Sequence, residues 1–523
     1  MCLCQLGSLM TFEQLLERDF GTISELISAH AAARPGTTAL IHGEARVSYE
    51  NLDRLMDRIA AALQRDGLVS GDIIAVCAKT SIEYAALFLG CLRAGVTVSP
   101  LAPSSTPAQL AAMVADCDAK LFFTDTNVAT EMAVPEAQVK TPRIALDGGA
   151  FAPAFHGWLA PDGARPTPVE IKPEQAFNII YSSGTTGDPK GIVQSFHMRW
   201  MQLFRAVRLG YDHTVVTLTS TPLYSNTTLV TFLPTIGFGG TVVLMDKFDA
   251  AGFLALAEKH RVTHAMLVPV QYHRIMAVPD FDRYDLSSFR MKLSTSAPFS
   301  AALKADVLKR WPGGLTEFYG MTEGGGTCQL EAHLYPDKLH TVGKPLPGHE
   351  ILLIDENGKP VPQGEIGEVV GHSGQIMNGY YKRPDKTSAA EWYDNQGRRF
   401  IRTGDVGRFD ADGFLTLMDR KKDMIISGGF NVYPSDLEAV LAQHPDVSEA
   451  AVVGVASAEW GETPVAFVVV KDGATSTADD IKAWVNARVG KTQRLSALRL
   501  VEALPRSAIG KILKRELRDS FTA

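Results

Sequence analysis

Short apolar runs rich in β-branched residues alternate with helix-like stretches over the first two thirds of the chain. The strand-like runs are IIAVCA (73–78), LFFTD (121–125), FNIIYSS (177–183), TVVLM (241–245) and AMLVPV (265–270). SIEYAALFLGCLRAG (81–95) follows the first of them and is apolar on one helical face. Strands that alternate with helices along a chain usually pair in parallel, so this order predicts an α/β fold with mostly parallel sheets. Residues 131–173 contain several prolines and glycines and predict loops.

The pattern changes after about residue 340. Two stretches, ILLIDENGKPVPQGEIGEVV and RRFIRTGDVGRFDADGFLTLMDR, each contain two strand-like runs around a turn, and DADG is typical of a hairpin. KKDMIISGGFNVYPSDLEAVLAQHP then predicts a strand, a glycine turn and a helix. We therefore predict a large N-terminal domain of mixed sheets with helices and a small, mobile α+β C-terminal domain. The predicted boundaries are 1–418 for the first domain with a β-rich subdomain near 340–418, 419–422 for a hinge and 423–523 for the second domain.

Charge and composition exclude some classes of function. The 523 residues carry a net charge of −7, which argues against a dedicated nucleic-acid-binding protein. Arg93 interrupts the longest apolar run, so no transmembrane segment is predicted. The six cysteines have no metal-ligand spacing, and scattered free thiols favour a cytoplasmic location. Residues 1–10 lack the features of a signal peptide, and their role stays open.

A loop with the sequence YSSGTTGDPKG (181–191) follows one of the strand-like runs. It is not a Walker loop, in which lysine directly follows glycine, because two residues separate Gly187 from Lys190. Its glycines still allow backbone amides to converge on an anion, and its hydroxyl groups add further donors. The hydroxyl residues are Ser182, Ser183, Thr185 and Thr186. From composition alone, the loop either binds phosphate or is a surface turn.

Three further motifs carry isolated chemical groups. EFYGMTEGGG offers the flat ring of Tyr319 and the carboxylate of Glu323, which suits a hard cation such as Mg²⁺. In RTGDVG, Asp405 lies between two glycines, where a carboxylate can approach a diol such as ribose, and Arg420 follows as a candidate anion ligand. Lys511 follows a glycine near the start of an amphipathic helix. Each motif by itself also fits a turn or a solvated surface.

Together, the order and spacing of these motifs resemble those of the adenylate-forming superfamily. That superfamily comprises acyl- and aryl-CoA synthetases, luciferases and the adenylation domains of peptide synthetases, and the resemblance covers essentially the whole chain. It implies an AMP-forming acid–CoA ligase similar to 4-coumarate–CoA and fatty acid–CoA ligases. It further implies ATP, Mg²⁺ and coenzyme A, with a small carboxylic acid as the partner substrate.

The resemblance also implies the residues of the nucleotide site. The 182–190 loop resembles the family's phosphate loop, Tyr319 the ring that stacks on adenine, and Glu317 the residue near the adenine amine. Glu323 resembles the magnesium ligand, and the implied catalytic residues are Thr186, Glu323 and Lys511. The implied ATP- and AMP-binding residues are Ser182, Ser183, Gly184, Thr185, Thr186, Lys190, Ser296, Ala297, Pro298, Glu317, Phe318, Tyr319, Thr322, Asp405 and Arg420.

The family's reaction has two steps, and the resemblance distributes residues between them. The carboxylate first attacks the α-phosphate of ATP, and the thiol of CoA then displaces AMP. Lys511 resembles the lysine needed for the first step, whereas Gly428, Gly429 and Phe430 resemble the channel for the CoA arm. Because both groups lie in the small domain, the resemblance implies that this domain rotates about Lys422 between the steps.

The acyl pocket contains one departure from the family pattern. Ser225 replaces the histidine that often follows Pro-Leu-Phe/Tyr, which puts the usual gating role of that ring in doubt. The residues predicted to line the pocket are Tyr224, Ser225, Asn226, Thr228, Val270, Gly320 and Gly325. Gly320 argues for an acid larger than acetate, and YSNTT (224–228) has no arginine, which disfavours a dicarboxylate. We therefore predict a medium-sized aromatic or aliphatic monocarboxylate.

Two alternatives remain at this stage. The chain could load a carrier protein instead of CoA, or it could be a nucleotide-binding scaffold without catalysis. The acid itself, the pathway and the oligomeric state do not follow from the sequence, although a homodimer is compatible with it.

Overall fold

The computed structural model describes residues 10–182, 190–420, 423–427, 430–457, 460–490, 493–506 and 512–522. The strands up to residue 345 are β1 (Thr38–His42), β2 (Ala45–Ser48), β3 (Ile73–Cys77), β4 (Thr97–Pro100), β5 (Leu121–Thr124), β6 (Arg143–Ala145), β7 (Ala176–Ser182), β8 (Lys190–Ser195), β9 (Val216–Thr219), β10 (Thr241–Leu244), β11 (His264–Leu267), β12 (Met291–Ser294), β13 (Gly314–Tyr319), β14 (Cys328–Glu331) and β15 (Lys344–Pro345). The helices of the same part of the chain are α1 (Phe12–Leu16), α2 (Ile23–Ala33), α3 (Tyr49–Arg65), α4 (Ile82–Arg93), α5 (Pro107–Asp116), α6 (Thr126–Glu131), α7 (Phe155–Trp158), α8 (Phe196–Arg208), α9 (Asn226–Gly237), α10 (Ala250–Lys259), α11 (Pro269–Met276) and α12 (Ala301–Arg310).

The remaining elements are shorter and contain more strands. The strands are β16 (Glu350–Ile354), β17 (Ile366–His372), β18 (Gly379–Tyr380), β19 (Glu391–Tyr393), β20 (Arg399–Phe409), β21 (Leu415–Arg420), β22 (Ile425–Ser427), β23 (Phe430–Val432), β24 (Val447–Ser457), β25 (Gly461–Val470) and β26 (Ala497–Leu500). The helices are α13 (Pro384–Ala389), α14 (Pro434–Leu441), α15 (Ala478–Asn486) and α16 (Lys514–Thr522).

Two large sheets form the centre of the N-terminal part. The first has the strand order β15-β14-β13-β12-β11-β9-β10-β1-β2, and its strands from β13 to β1 pair in parallel. The second has the order β18-β8-β7-β4-β3-β5-β6, and its strands from β7 to β6 pair in parallel. The predicted α/β class with mostly parallel sheets is therefore confirmed.

Alternating side chains on these strands fill separate hydrophobic cores. In β3, Ile74 and Val76 contribute to the largest core, which also contains Leu40 and Val242 of the first sheet and the buried faces of α3, α4 and α9. Ala75, between them, belongs to a second core that packs against α5. Because successive side chains of a strand point to opposite faces, each central strand is covered by helices on both sides.

Antiparallel pairing dominates after residue 345, as predicted. A five-stranded sheet has the order β16-β17-β20-β19, with β21 paired to β20 as the expected hairpin around DADG. A second five-stranded sheet has the order β23-β22-β25-β24, with β26 parallel to β25. The side chain of Ser435 donates a hydrogen bond to the carbonyl of Met418 and so joins α14 to β21. The hinge at 419–422 stays a prediction.

One local prediction was wrong. AMLVPV is not one strand, because β11 ends at Leu267 and α11 begins at Pro269, whose ring favours the first position of a helix. The 131–173 segment is rich in loops, as predicted, and contains only β6, α7 and a short 3₁₀ helix at Pro135–Ala137 as regular elements among its described residues. Among the residues described, no helix is both long and apolar enough to cross a membrane.

Candidate active site

The predicted nucleotide and acyl residues meet at one edge of the first sheet. Ser296 follows β12, Tyr319 ends β13, and Tyr224 lies between β9 and α9. These strands run in parallel and are near neighbours in the sheet, so their carboxyl ends open on the same side. Ligand sites in α/β sheets form at such an edge.

A hydrogen bond joins this edge to the antiparallel sheet of residues 350–420. The hydroxyl of Tyr319 donates to Oδ2 of Asp405 over 2.8 Å, although the two residues are 86 positions apart. Asp405 lies in β20 directly opposite Arg420 of β21. The backbone amide of Asp405 donates to the hydroxyl of Thr403 over 3.0 Å. Three residues predicted to contact adenosine are therefore adjacent in space.

Tyr380 connects the predicted phosphate loop with the predicted magnesium ligand. Its hydroxyl donates to Oε1 of Glu323 over 2.8 Å, and Nζ of Lys190 lies 5.3 Å from the centre of its ring. Burial and the nearby Glu323 carboxylate raise the pKa of Tyr380, so its hydroxyl keeps the proton that it donates. Tyr380 reaches this position because β18 pairs with β8, which begins at Lys190. No motif pointed to Tyr380, which is distinguished only by its position in the Tyr-Tyr pair of NGYY.

A buried polar network holds the loop that carries Glu323. Gln194 donates from Nε2 to the carbonyl of Thr322 over 2.6 Å. Asn178 donates to Oε1 of the same glutamine over 3.1 Å. The guanidinium of Arg199 donates to this Oε1 and to Oδ1 of Asn178. Arg199 is only 2% exposed and also donates to Gln202 over 2.9 Å. Because this network is shielded from solvent, we infer that it holds the Thr322 carbonyl, and with it the loop of Glu323, in one position.

The turn after β12 has a strained backbone. Ser296 has a φ of 79°, which is unusual for a residue with a side chain, and its hydroxyl is 2.8 Å from that of Thr227. Such conformations persist where the surroundings impose them, and they are frequent at binding sites. The neighbouring Ala297 is half-buried and Pro298 is exposed.

The start of α9 provides the predicted acyl-pocket residues. Ser225 is the N-cap of this helix and accepts a hydrogen bond from the amide of Thr227 over 3.2 Å. The hydroxyl of Thr228 is already used, because it bonds to Thr221 over 2.7 Å and donates to the carbonyl of Pro222 over 2.6 Å. Asn226 differs, since its buried Oδ1 has no hydrogen-bond partner among the described residues. Asn226 is therefore the polar group of this helix that remains available to a substrate.

Gly320 leaves space, whereas Gly325 does not. A Cβ at position 320 would lie 3.4 Å from Oγ1 of Thr327, which is an ordinary contact distance. Gly325 has a φ of 87°, and a Cβ there would lie 2.8 Å from the carbonyl oxygen of Gly371. Gly325 packs its backbone against β17, so it offers no space for a side chain, and its predicted place in the acyl pocket stays a prediction. Val270 is half-buried on α11.

Glu317 does not present its carboxylate to a ligand. It forms an ion pair with Lys304 of α12, and the side chains are only 5% and 1% exposed. Burial raises the pKa of Glu317 to about 7, and the charge of Lys304 opposes this rise. Lys304 also donates to the carbonyls of Leu339 and Thr341 over 2.8 and 3.1 Å. The expected contact of this carboxylate with the adenine amine is thus replaced by an interior ion pair.

Phe318, the next residue, is 7% exposed and belongs to the largest core.

Several predicted residues lie outside the described parts of the chain. They are Ser183, Gly184, Thr185, Thr186, Lys422, Gly428, Gly429 and Lys511. Ser182, Arg420 and Phe430 lie in β7, β21 and β23 respectively. The roles assigned to these residues stay predictions. Within the described residues, no group of three or more His, Cys, Asp or Glu side chains has the arrangement of a metal site.

Comparison with known proteins identifies the family. The model of the AMP-binding enzyme family matches residues 27–381, and the model of its C-terminal domain matches residues 436–511. The chain belongs to the AMP-binding enzyme family. It is an adenylate-forming acyl-CoA synthetase, and the resemblance inferred from the four motifs is confirmed.

Relatives of this family match over nearly the full chain. A 4-coumarate–CoA ligase-like protein of Oryza sativa subsp. japonica is 34% identical and covers 96% of this chain and 93% of its own length. The indoleacetate–CoA ligase of Aromatoleum aromaticum is 32% identical, with 95% and 98% covered. The structure of the amide bond synthetase McbA from Marinactinospora thermotolerans is 28% identical, with a TM-score of 0.85 over 95% of this chain and 99% of that one. The synthetase fold therefore extends through both parts of the chain.

Proposed function

We propose that this synthetase joins ATP, an aryl or medium-length carboxylic acid and CoA at the carboxyl edge of the first sheet. The observation that supports this site most directly is the pair of contacts that Tyr319 makes with Asp405 and Tyr380 makes with Glu323, over 2.8 Å each. These contacts support a site in which Tyr319 would stack on the base, Asp405 would bind the ribose and Glu323 would lie beside the phosphates. Such a site suits a nucleotide that is cleaved between its α- and β-phosphates.

In the first step, the protein's main task is to position two anions against each other. Lys190 would neutralise phosphate charge from one side, while the Thr322–Glu323 loop, held by Gln194, would approach from the other. Phosphoryl transfer depends chiefly on such positioning and electrostatic stabilisation. The acid's oxygen then bonds to the α-phosphorus, and pyrophosphate leaves with the electrons of the broken P–O bond.

Glu323 fits a magnesium ion of the kind that binds through one carboxylate and substrate phosphates. Its Oε1 accepts the Tyr380 hydrogen bond, and Oε2 has no hydrogen-bond partner among the described residues. Mg²⁺ commonly takes one or two carboxylates and completes its shell with phosphate oxygens and water. When bound there, the ion would stabilise the negative charge that develops on the pyrophosphate.

In the second step, the sulfur of CoA attacks the acyl carbonyl and AMP leaves. We assign Lys511 to the first step and Gly428, Gly429 and Phe430 to the second, with rotation about Lys422 between them. The support for this assignment is the family resemblance of these positions. We also propose that the protein is cytoplasmic and that it forms a homodimer.

An assay with a panel of acids tests this function. The purified protein is incubated with ATP, Mg²⁺ and labelled pyrophosphate, together with cinnamic, phenylacetic, hexanoic or acetic acid, and exchange into ATP is measured. CoA is then added and the thioester is measured by mass spectrometry. Exchange without any thioester would contradict the CoA assignment and favour a carrier protein as acceptor. The absence of exchange with every acid would favour a scaffold.

Gly320→Trp should shorten the acyl pocket. A Cβ at position 320 meets only ordinary contacts and Gly320 does not adopt a positive φ, so a side chain can start there without backbone strain. We expect kcat/KM for cinnamate or hexanoate to fall at least about tenfold, while acetate is affected much less. Gly320→Ala serves as the matched control and should change these values little. Unchanged activity towards the large acids in Gly320→Trp would place the pocket elsewhere.

A further inference from the structure

Arg205 has no charged partner among the residues that the structure describes. It lies near the C-terminal end of α8, is half-buried, and places its guanidinium carbon 4.9 Å from the centre of the Phe318 ring. Apart from this ring, no described residue offers it a carboxylate or a hydrogen-bond acceptor. A guanidinium that is partly withdrawn from water is usually paired with an anion or with several acceptors. The contact with Phe318 attracts the cation but does not neutralise it.

The surroundings of Arg205 connect it to the space beside Gly320. Phe318 lies two residues before Gly320 in the chain. Thr327, which faces position 320, donates its backbone amide to Nδ1 of His349 over 3.1 Å. His349 is close enough to Arg205 for the guanidinium to disfavour a protonated imidazole. Burial first, and then this repulsion, lowers the pKa of His349 to about 4, so the imidazole is neutral at pH 7.

The net charge of this region is positive. Burial lowers the pKa of Arg205 to about 10, which leaves it charged at neutral pH. The buried Arg199 lies about 1.7 turns earlier on the same helix. It is bound by amide oxygens, with no carboxylate among them. Burial raises the pKa of Tyr211, the other titratable neighbour, so its hydroxyl is uncharged. An anion contributed by the substrate would balance this charge.

We propose that Arg205 determines substrate specificity by binding a second, anionic group of the carboxylic acid, at the end of the acyl pocket remote from the reacting carboxylate. The planar guanidinium presents paired N–H donors that match the oxygens of a carboxylate or a sulfonate. The inference rests on the proposed function and changes its substrate class from a monocarboxylate to an acid with a distal negative charge. The arginine that is missing from YSNTT is supplied by α8.

Three cinnamic acids that differ only at the 4-position separate charge from size. The 4-sulfo acid carries an anion that cannot be adenylated, the 4-methylsulfonyl acid is its neutral analogue, and the 4-isopropyl acid is apolar. In pyrophosphate exchange, the wild type should prefer the sulfo acid to the methylsulfonyl acid by about tenfold or more in kcat/KM. Arg205→Gln should reduce this ratio to about one and retain exchange with the isopropyl acid. Arg208→Gln, an exposed position on the same helix, should keep the wild-type ratio.

Each of the other results has a distinct meaning. A wild-type ratio near one, or a ratio that persists in Arg205→Gln, would overturn the assignment of Arg205 while exchange itself still supported the ligase function. Equal loss of exchange with all three acids in Arg205→Gln would also overturn it, because a purely structural role would then explain the residue. Absence of exchange in the wild type with these acids and with the whole acid panel would instead refute the proposed function.

Discussion

Glu323→Gln will lower the rate of ATP–pyrophosphate exchange by about 10²–10³-fold, the loss that follows removal of a preorganised electrostatic contact in an active site. Glutamine has the same shape and can still accept the hydrogen bond from Tyr380, so the substitution removes charge and little else. The Mg²⁺ concentration needed for half-maximal exchange should also increase, because the proposed carboxylate ligand is lost. Both quantities are measured in the same assay across a magnesium titration.

Two variants control for effects other than the lost ligand. Glu356→Gln removes an equal charge from an exposed turn and should leave exchange and the magnesium requirement unchanged. Tyr380→Phe keeps the carboxylate but removes its hydrogen-bond donor, and it should reduce exchange by only about tenfold. If Glu323→Gln left the magnesium dependence as in the wild type, Glu323 would not be the metal ligand.

Lys304→Met is expected to reduce the free energy of unfolding of the N-terminal part by about 3–5 kcal/mol, the usual cost of breaking a buried ion pair. The variant leaves the carboxylate of Glu317 without its cation and two carbonyls without their donor. Urea unfolding followed by tryptophan fluorescence measures the loss, with the exposed Lys309→Met on the same helix as the control. The double variant Lys304→Met/Glu317→Leu should recover most of the stability. Equal instability of the single and double variants would show that packing, and not the unpaired charge, is responsible.

The stability that Lys304→Met loses relative to the wild type should increase with pH. In the wild type, burial raises the pKa of Glu317 to about 7 from its ordinary value of 4.5. The folded state then holds this proton more tightly than the unfolded state, so stability falls between about pH 4.5 and 7 and levels off above that range. Without Lys304, the pKa of Glu317 rises further and the fall continues above pH 7. The difference between wild type and Lys304→Met should therefore be larger at pH 8.5 than at pH 6.

Sequence motifs predicted the class of fold and the family because both depend on local patterns. Alternating strand and helix runs required parallel sheets, and the spacing of Glu323, Asp405 and Lys511 matched one family. The motifs could not reveal partners that are set by strand pairing. Tyr380 reaches Glu323 only because β18 pairs with β8, and Gln194 reaches Thr322 from 128 residues away.

The sequence interpretation was least accurate for residue types that can have more than one structural role. Gly325 was predicted only to line the acyl pocket, and the structure adds that it permits a positive φ and a close approach of two backbones. A glutamate beside the adenine motif was interpreted as a ligand, but Lys304 takes its carboxylate. Arg205 was overlooked because it lies outside every motif, on a helix that looks like ordinary amphipathic packing. The neighbour of Gly325 lies in β17 and that of Arg205 in β13, both far from it in the sequence, whereas Lys304 lies in α12, directly before the strand of Glu317.

The helix α8 connects the two ends of the site and thereby sets a length. Arg199 belongs to the network under the Thr322 carbonyl, and Arg205 stacks on Phe318 beside the acyl region. An α-helix rises about 1.5 Å per residue, so these two arginines are separated by about 9 Å along its axis. If Arg205 binds the distal anion as proposed, this separation favours an acid with a benzene ring and a two-carbon arm over a shorter diacid.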